Sequence, residues 1–592
     1  MFRALKLSYN ACRISTMIGK NRMVKGNDGS KGRRSKSNFS VGQSIKTGTL
    51  LGYVGYMSWS AVDVAEKLKE KGLEEAAEKL KAQNVTGDKL DMITEQRLKE
   101  YGLEKGGDRV KVLKFIRQMT TQHNKKIFND PVHGHIEVHP LCVKIIDTPQ
   151  FQRLRDLKQI GACYFVYPGA SHNRFEHCIG VSHLAGKLTR QLQQEQPELD
   201  ITNKDILCVE IAGLCHDLGH GPFSHLFDEK FIKAVKPELK WKHEEGSVMM
   251  FNYLIKKNDL EKEFKKYGLE ERDMDFIVEQ IAGPKNGTNG EWPYNGREKA
   301  KGYLYEVVAN KRNGIDVDKW DYFARDCHGL GIPNPFDHNR FMKFARVIKF
   351  DDSLQICSRD KEAETLYSMF QIRVALHRRA CQHRVSNSVQ AMIVDALIAA
   401  NETKLVPKKD GSLIKISDCI TCPEAYTKLS DSIFHVILMS TDKKLAEARS
   451  ILQRILQRKL YRCVGETSPK QTTDKTNVKE LRKKIMTFIL QKSDGKLKET
   501  DLYIDIVCLD YGAETENPIK HVNFYNKNNI DEAISINRDK VSLMLPNVFA
   551  EHIIRVYYKK TDNNISEKAS SLFKKWCDSH DYQSQTRIPD DT

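Results

Sequence analysis

The sequence predicts a mainly α-helical protein: a small helical module, a large all-helical core and a smaller mixed α/β lobe at the C-terminal end. Three observations carry this. Apolar residues recur at helical spacing from Trp59 to Met119, divided into short helices by Gly72, Gly87, Gly102 and Gly106-Gly107. The run Asp205–Leu214 is apolar nearly all round, as a buried helix must be. Short strand-like runs appear near the end of the chain, at Leu502–Leu509 and His552–Tyr558. With 592 residues the chain has room for about four segments of domain size. The expected boundaries are 1–50 for a basic tail, 56–120 for the helical module, 125–465 for the core and 478–582 for the last lobe.

Composition narrows the classes. Charged residues make up 29% and hydrophobic ones 40%, which is globular rather than disordered. Lys and Arg number 95 against 78 Asp and Glu, a net charge of +17 that suits nucleotides, nucleic acid or acidic surfaces without choosing among them. Cys419-Ile420-Thr421-Cys422 has no second pair to make a zinc ribbon, so it reads as two reduced thiols. Cys208 and Cys215 inside apolar runs suit a reducing compartment. No run of 18 apolar residues predicts a membrane span. Residues 1–45 carry ten Lys and Arg, from Arg3 to Lys36, against the single acid Asp28. They read as a disordered basic tail in which two addresses compete: nuclear, from Lys31–Lys36, or mitochondrial, from the acid-poor residues 1–25. The cytoplasm is the remaining alternative.

In chain order, the helical module from Trp59 holds no catalytic cluster and is read as an interaction domain. Asn129–His135 opens the core. Thr148 and Pro149 supply the cap and first position of a helix. Near its start gather Asp147, Gln152 and Arg155, which on their own read as a solvated face. Asn173 with Glu176 makes a capping box and puts His177 in the first turns of the next helix. The helix over Asp205–Leu214 is ended by Gly219, Gly221 and Pro222, and residues 215–228 hold His216, Asp217, His220, His225 and Asp228. A charge at the end of a core helix is costly unless compensated, and a divalent cation bound by imidazole and carboxylate compensates it. An isolated His-Asp pair is more often a satisfied core pair; here the neighbouring histidines favour a metal. Across Asn313–Asp326, read as a helix, Lys319, Tyr322 and Asp326 share one face, with Asp318 one position round. Arg373–Arg384 reads as a basic helix with Arg373, His377 and Cys381 in line, either exposed or gripping phosphate. Residues 464–480 are polar and turn-rich, hence an exposed loop or boundary. A closing helix lies near Ser570–Trp576.

The order His177, His216-Asp217, Asp318 resembles that of the HD superfamily of metal-dependent phosphohydrolases. The longer words Ser171–His177, Gly213–His225 and Asn313–Asp326 are similar to those of the animal deoxynucleoside triphosphate triphosphohydrolases that join a sterile alpha motif to an HD domain. The module at 56–120, with Leu98-Lys-Glu-Tyr-Gly-Leu103, resembles the sterile alpha motif itself. This resemblance implies a metal on His177, His216, Asp217 and Asp318. It implies substrate contacts from Arg174, His220, His225, Lys319, Tyr322 and Arg373, with Gln159, Ile160, Asp326, His377 and Gln382 around the nucleoside. His225, supported by Asp228, is the candidate acid for the leaving 5′ oxygen, and His243 with Glu244 is a further polar pair. The implied reaction releases triphosphate and a deoxynucleoside by attack on the α-phosphorus. Implied cofactors are one Fe, Mn or Zn ion per subunit, which the ligands alone do not distinguish, and Mg2+ on the phosphates.

The family is activated by GTP or dGTP with a dNTP, which assemble a homotetramer. Asp147, Gln152 and Arg155 match its guanine site. Lys126, Ile127, Asn129, Val166, Tyr167, Arg340, Arg359, Lys361, His383, Arg384, Arg458, Arg462 and Lys527 fall on the remaining activator contacts. The chain departs from the pattern at Thr365, where an Asn is expected beside the second activator's base, and at Cys381, where a Tyr is expected beside the sugar. Two other readings compete: a nucleic-acid binder with an incidental HD site, and a phosphodiesterase or nuclease using the same metal. Retention of four ligands with Lys319, Tyr322 and Arg373 favours the triphosphohydrolase, with single-stranded nucleic acid as an additional partner and no membrane.

Overall fold

The computed structural model describes residues 59–121, 125–284, 292–469, 475–542, 544–580 and 582–584. The basic stretch over residues 1–45, with its two competing addresses, lies outside the described residues.

Four helices, α1 (Ala61–Lys69), α2 (Glu74–Ala82), α3 (Glu95–Glu100) and α4 (Gly106–Thr121), make the first module. Ser60 starts α1 in a capping box: its hydroxyl accepts from the Asp63 N–H at 3.2 Å, and the Asp63 carboxylate accepts from the Ser60 N–H at 2.8 Å. Val64, Leu68, Leu80, Leu90, Leu98, Leu103 and Val112 form its core, with Trp59 packed against them. The 3.6-residue spacing had picked out most of these positions.

The large domain opens with an antiparallel hairpin, β1 (Lys126–Asp130) and β2 (Gly134–Val138). Helices α5 (Pro140–Ile146) and α6 (Pro149–Gln152) follow, with Thr148 and Pro149 capping α6 as expected. Next come α7 (Arg174–Glu195) and α8 (Asn203–Cys215). Thr202 and Asp205 cap α8 reciprocally, at 3.1 and 3.0 Å, and the buried Asp205 is paired with Arg297 and Lys301, each at 2.7 Å. Ten of the eleven residues from Asp205 to Cys215, all but Glu210, are buried, on every side of α8, so no amphipathic stripe shows. Further on lie α9 (His243–Lys257), α10 (Val317–Leu330), a hairpin of β3 (Ala345–Phe350) and β4 (Ser353–Arg359), then α11 (Ala363–Leu376) and α12 (Arg384–Asn401). The C-terminal lobe holds β5 (Arg462–Ser468), α13 (Lys475–Gln491), β6 (Leu502–Asp510), β7 (Phe524–Tyr525), β8 (Ala550–Tyr558), α14 (Asn563–Ser579) and β9 (Gln583–Ser584). Its sheet is antiparallel in the order β9-β5-β8-β6, while β7 adds to β4 in parallel. Among the described residues, no helix is long and apolar enough to cross a membrane.

Three expectations are corrected. The large domain is not purely helical, because β1–β2 and β3–β4 are hairpins within it. The basic stretch Arg373–Arg384 is not one helix. After Leu376 the chain enters a π-turn over His377–Cys381 and then restarts at α12, capped by His383. A π-turn inserts a residue into the helical spacing, so Cys381 is not in line with Arg373. Residues 464–468 are strand rather than loop. Their polar composition conceals this, since Val464 and Thr467 are the buried members and Gly465 stands where a Cβ would lie 2.2 Å from the Phe573 ring. Residues 470–474 lie outside the described residues, and helix resumes at Lys475.

One buried cation ties the loop after α8 to the rest of the domain. Arg153 donates from Nε to the Leu429 carbonyl at 2.6 Å, from Nη1 to Leu218 at 3.2 Å and from Nη2 to His220, with its guanidinium 4.5 Å from the Tyr426 ring centre. Arg153→Ala leaves three buried carbonyls unpaired. It should cost on the order of 3 kcal/mol in stability, read as a lower midpoint of thermal unfolding. An unchanged midpoint would show that the loop is anchored elsewhere.

Candidate active site

Helix ends from α7, α8 and α10 bring four predicted ligands together. His177 lies in the first turn of α7, where Glu176 reaches back to the Asn173 N–H at 2.7 Å. His216 and Asp217 follow the last residue of α8. Asp318 lies in the first turn of α10, whose cap Asp316 accepts from the Lys319 N–H at 3.1 Å. His177 Nε2 is 3.1 Å from Asp318 Oδ1 and 3.4 Å from Asp217 Oδ2. His216 Nε2 is 3.4 Å from Asp318 Oδ1 and 3.5 Å from Asp217 Oδ1. Such separations are those of donors that each stand about 2.1 Å from one shared ion.

Each imidazole is fixed from behind, His177 Nδ1 by Asp321 at 2.7 Å and His216 Nδ1 by the Gly213 carbonyl at 2.8 Å. Both Nε2 atoms are buried and make no hydrogen bond. Burial pulls the His177 imidazolium down, but Asp318 and Asp321 outweigh it and push its pKa up to about 10. The carboxylates therefore draw positive charge into the cluster, where two nitrogens without a hydrogen bond face them. These residues fit a divalent transition metal.

Beside it lies a second group. The His220 and His243 rings stack at 3.9 Å, His243 Nδ1 lies 3.0 Å from Asp228 Oδ2 and 3.4 Å from Glu244, and His225 Nδ1 lies 3.8 Å from Asp228 Oδ1. His220 Nε2 faces Asp217 at 3.3 Å. Burial, Arg174 and His243 hold the His220 imidazolium well below the ordinary range, so its ring is neutral. For His225, burial works downward but Asp228 prevails and raises it. Of the two rings, the one shifted toward the protonated form is the exposed His225, 3.8 Å from Asp228. Close packing sets this geometry: a Cβ on Gly219 would fall 2.1 Å from both the His243 carbonyl and the Ser247 nitrogen, so only glycine lets α9 begin there.

The expected substrate wall is partly engaged by protein. Arg174 donates from Nη1 to Asp217, from Nε to Ser224 at 3.0 Å and from Nη2 to the Gln159 carbonyl at 3.2 Å, using three of its five N–H groups. The structure makes it first of all the clamp of Asp217. Lys319 Nζ pairs with Asp316 at 3.1 Å. Tyr322 OH and Asp510 each stand 3.5 Å from Arg373. Asp326 is held by His172 at 2.7 Å. Gln159 is buried with Oε1 unpaired, and Ile160 is half-buried beside it in the chain. Burial, Arg373 and His225 push His377 down to about 3. Gln382 accepts from Asn387 at 3.1 Å, and Cys381 is half-buried.

A cavity of about 740 Å³ opens over His216, Asp217, His243, Glu244, Asp318 and Lys319. Lys311, Arg312 and the segment Gly512–His521 complete its wall. Lys311 and Arg312 stand just before the Asn313–Asp326 stretch, and their charge was the available signal. The C-terminal segment gave none, because only the fold brings it there.

Comparison with known proteins places these features. The HD domain model matches residues 174–326, and the SAM domain (sterile alpha motif) model matches 57–120. The deoxynucleoside triphosphate triphosphohydrolase SAMHD1 of Homo sapiens is 49% identical over 535 residues, covering 88% of this chain and 85% of the relative. The chain belongs to the SAMHD1 family. The SAMHD1 of Bos taurus is 52% identical, covering 82% of each chain, and the SAMHD1 homolog of Dictyostelium discoideum is 37% identical, covering 78% of this chain and 82% of its own.

The residues expected to contact activator nucleotides lie on several elements. Asp147 is exposed at the end of α5. Gln152 donates to the Ile146 carbonyl at 2.8 Å, and Arg155 donates to Gln152 at 2.8 Å with its guanidinium 3.5 Å from the Phe175 ring centre. Gln152 and Arg155 are therefore in contact, as the sequence suggested. Arg340 and Lys361 both lie over the Phe344 ring, and Arg340 pairs with Glu362 at 2.9 Å. Arg359 pairs with Asp360 at 3.0 Å. Tyr167 and His383 meet edge to face at 6.0 Å, Arg458 donates to the Phe165 carbonyl at 3.0 Å, and Arg462 to Asn563 at 3.4 Å. The Arg384 carbonyl accepts from Tyr557 OH at 2.9 Å. Lys126, Ile127, Asn129 and Lys527 are exposed, and Val166 is half-buried.

Two outcomes check the site. Because Arg174 leans on Asp217, the cleaner ligand variant is His216→Ala, which should abolish stable metal retention while the circular dichroism spectrum stays native. The acid form of His225 exists below its raised pKa and is lost as pH rises through it. Asp228→Asn should therefore move the alkaline limb of the kcat profile to lower pH, and an unmoved limb would assign the acid elsewhere.

Proposed function

We propose that this protein hydrolyses deoxynucleoside triphosphates to a deoxynucleoside and inorganic triphosphate, and that GTP or dGTP, together with a dNTP, switches it on by assembling a homotetramer. The observation that carries the reading is the convergence of ligand atoms from His177, His216 and Asp318, with Asp217 beside them, next to the group of His220, His225, Asp228 and His243. The substrate is the one printed in the names of the relatives from Homo sapiens and Bos taurus.

His177, His216, Asp217 and Asp318 would hold the metal, Fe, Mn or Zn, which when bound polarises a phosphoryl oxygen and lowers the pKa of its water to about 7. The residues of the chain do the rest. Lys319 and Arg373 offset the triphosphate charge, with Mg2+ on the phosphates, and phosphate entering the site displaces Asp510 from Arg373. Asp228 faces His225 Nδ1, so the proton to be given away sits on Nε2. A water oxygen bonds to the α-phosphorus and its proton leaves to solvent. The P–O5′ bond breaks, the His225 proton passes to O5′, and His225 regains a proton from solvent once triphosphate and deoxynucleoside have formed. Neutral His220, stacked on His243, can donate one hydrogen bond without adding a charge. The net charge of +17 also suits single-stranded nucleic acid, and the Lys31–Lys36 stretch would direct the protein to the nucleus.

The direct test is purified protein with dATP, with and without GTP, assayed for inorganic triphosphate. Release is expected only with GTP. Asp147→Asn should raise the GTP required and weaken tetramers in sedimentation, since a site built on hydrogen bonds rejects a mismatched partner. Equal activation by ATP would overturn the guanine site.

The sugar edge gives a second measurement. Tyr322 remains there, while Cys381 replaces an aromatic ring with a smaller thiol. A 2′-hydroxyl buried without a partner costs about 1–3 kcal/mol, so dNTPs stay preferred over rNTPs by a narrower margin than with tyrosine. Cys381→Tyr should raise the dATP:ATP ratio of kcat/KM. An unchanged ratio would show that another side chain closes that edge.

A further inference from the structure

On the far side of His177 from the cleft, Asp321 is wholly buried on α10, one turn past Asp318. Its Oδ2 accepts from His177 Nδ1 at 2.7 Å and from Arg325 Nε at 2.9 Å. Its Oδ1 accepts from Arg325 Nη2 at 2.9 Å and faces His133 Nε2 at 2.6 Å. Arg325 reaches on from Nη1 to Asp130 Oδ2 at 2.8 Å. Asp130 in turn fixes the β1–β2 turn, accepting from the N–H groups of Val132 and His133 at 2.8 and 2.9 Å. The opposing helix leaves room for all this at one residue. A Cβ on Gly180, one turn beyond His177 on α7, would stand 1.9 Å from Asp321 Oδ1 and 2.6 Å from Arg325 Nη2. Glycine inside a helix costs roughly 1 kcal/mol relative to alanine, and here the bare Cα is what admits the carboxylate.

We propose that Asp321 is a positioning residue for the metal ligand His177, and that the β1–β2 turn holds it in place through His133. The inference rests on the metal reading above. A carboxylate on Nδ1 keeps the ring proton there, leaves the Nε2 lone pair directed at the ion and raises its basicity. The two-pronged Arg325 contact and His133 occupy the remaining lone pairs, so the carboxylate has no other rotamer in which it is equally paired. The turn and the helix together fix one ring orientation.

Asp321→Ala strands the buried Arg325 charge and tests folding as much as metal binding. Three milder variants of the full chain separate the two. Asp321→Asn removes the charge with little change of shape. Gly180→Ala displaces the carboxylate while deleting no polar group. His133→Ala removes the outer support alone. Each is loaded with Mn2+, and the loss of metal to EDTA is followed by elemental analysis alongside the thermal midpoint and the KM for dATP. Wild type should retain one Mn2+ per subunit. Asp321→Asn and Gly180→Ala should lose it about 10–100-fold faster, and His133→Ala faster by a smaller factor, at unchanged KM. Wild-type rates of loss in natively folded Gly180→Ala and His133→Ala would overturn the proposal, whatever the folding of Asp321→Asn. Wild type that retains no Mn2+ at all would instead overturn the metal reading beneath it.

Discussion

Three carboxylates meet where α7, α8 and α10 come together, Asp217 and Asp321 buried and Asp318 half-buried at the cavity wall, and each needs a positive partner there. Asp217 has Arg174, and Asp321 has Arg325 in a two-pronged contact. Asp318 differs: its described partners are the imidazoles of His177 and His216. The nearest lysine, Lys319, is committed to Asp316. The shortfall of charge sits on Asp318, which faces the two imidazole nitrogens as Asp217 does but has no guanidinium beside it. A bound cation resolves it with no other rearrangement, and the surrounding structure reads as the means of keeping that deficit in place.

Those means are mainly close approaches. A helix end delivers a side chain accurately only if the helix itself cannot slide, and here bare Cα atoms serve as stops. Gly180 lets α10 press its Asp321 against α7, and Gly219 lets α9 begin against the loop that follows α8. Arg153 then pins the same loop by its carbonyls. Cap, glycine and buried arginine each fix one degree of freedom, so the ligand atoms need no flexibility to converge.

This explains what could be read in the sequence. The His177, His216-Asp217 and Asp318 set was legible because side chains of unusual cost stood at recognisable helix ends, marked by Asn173 and Gly219. Thr148-Pro149 gave its helix start for the same reason. The π-turn at His377–Cys381 was not legible, because its residues suit an ordinary helix and only tertiary packing selects the wider turn. Strand Arg462–Ser468 was hidden since just two of its side chains are buried deeply, against β8 and α14. Arg174 was expected to contact substrate, and its commitment to Asp217, Ser224 and Gln159 is a long-range fact. Asp321 stood inside a motif already noticed, yet its position one turn from Asp318 did not announce that it turns away from the cleft. The Gly512–His521 wall belongs to a distant part of the chain and carried no local signal.

The loop from Gly219 to Asp228 shows how a short sequence makes two histidines chemically different. His220 and His225 have ring centres 4.8 Å apart, nearly perpendicular. Between them Phe223 and Ser224 both take positive φ, 61° and 58°. For a bulky residue such a conformation costs on the order of 1–3 kcal/mol. It is offset locally: the Phe223 N–H donates to Asp431 at 2.6 Å, and Ser224 donates to the Lys158 carbonyl at 2.7 Å while accepting from Arg174. The reversal of the chain sends His220 inward, where burial, Arg174 and the stacked His243 lower its pKa well below the ordinary range. It sends His225 the other way, where burial works downward but Asp228 prevails and raises it. The strained turn separates the two rings, and a proton donor beside a neutral ring is what cleavage of a phosphate ester at this cleft requires.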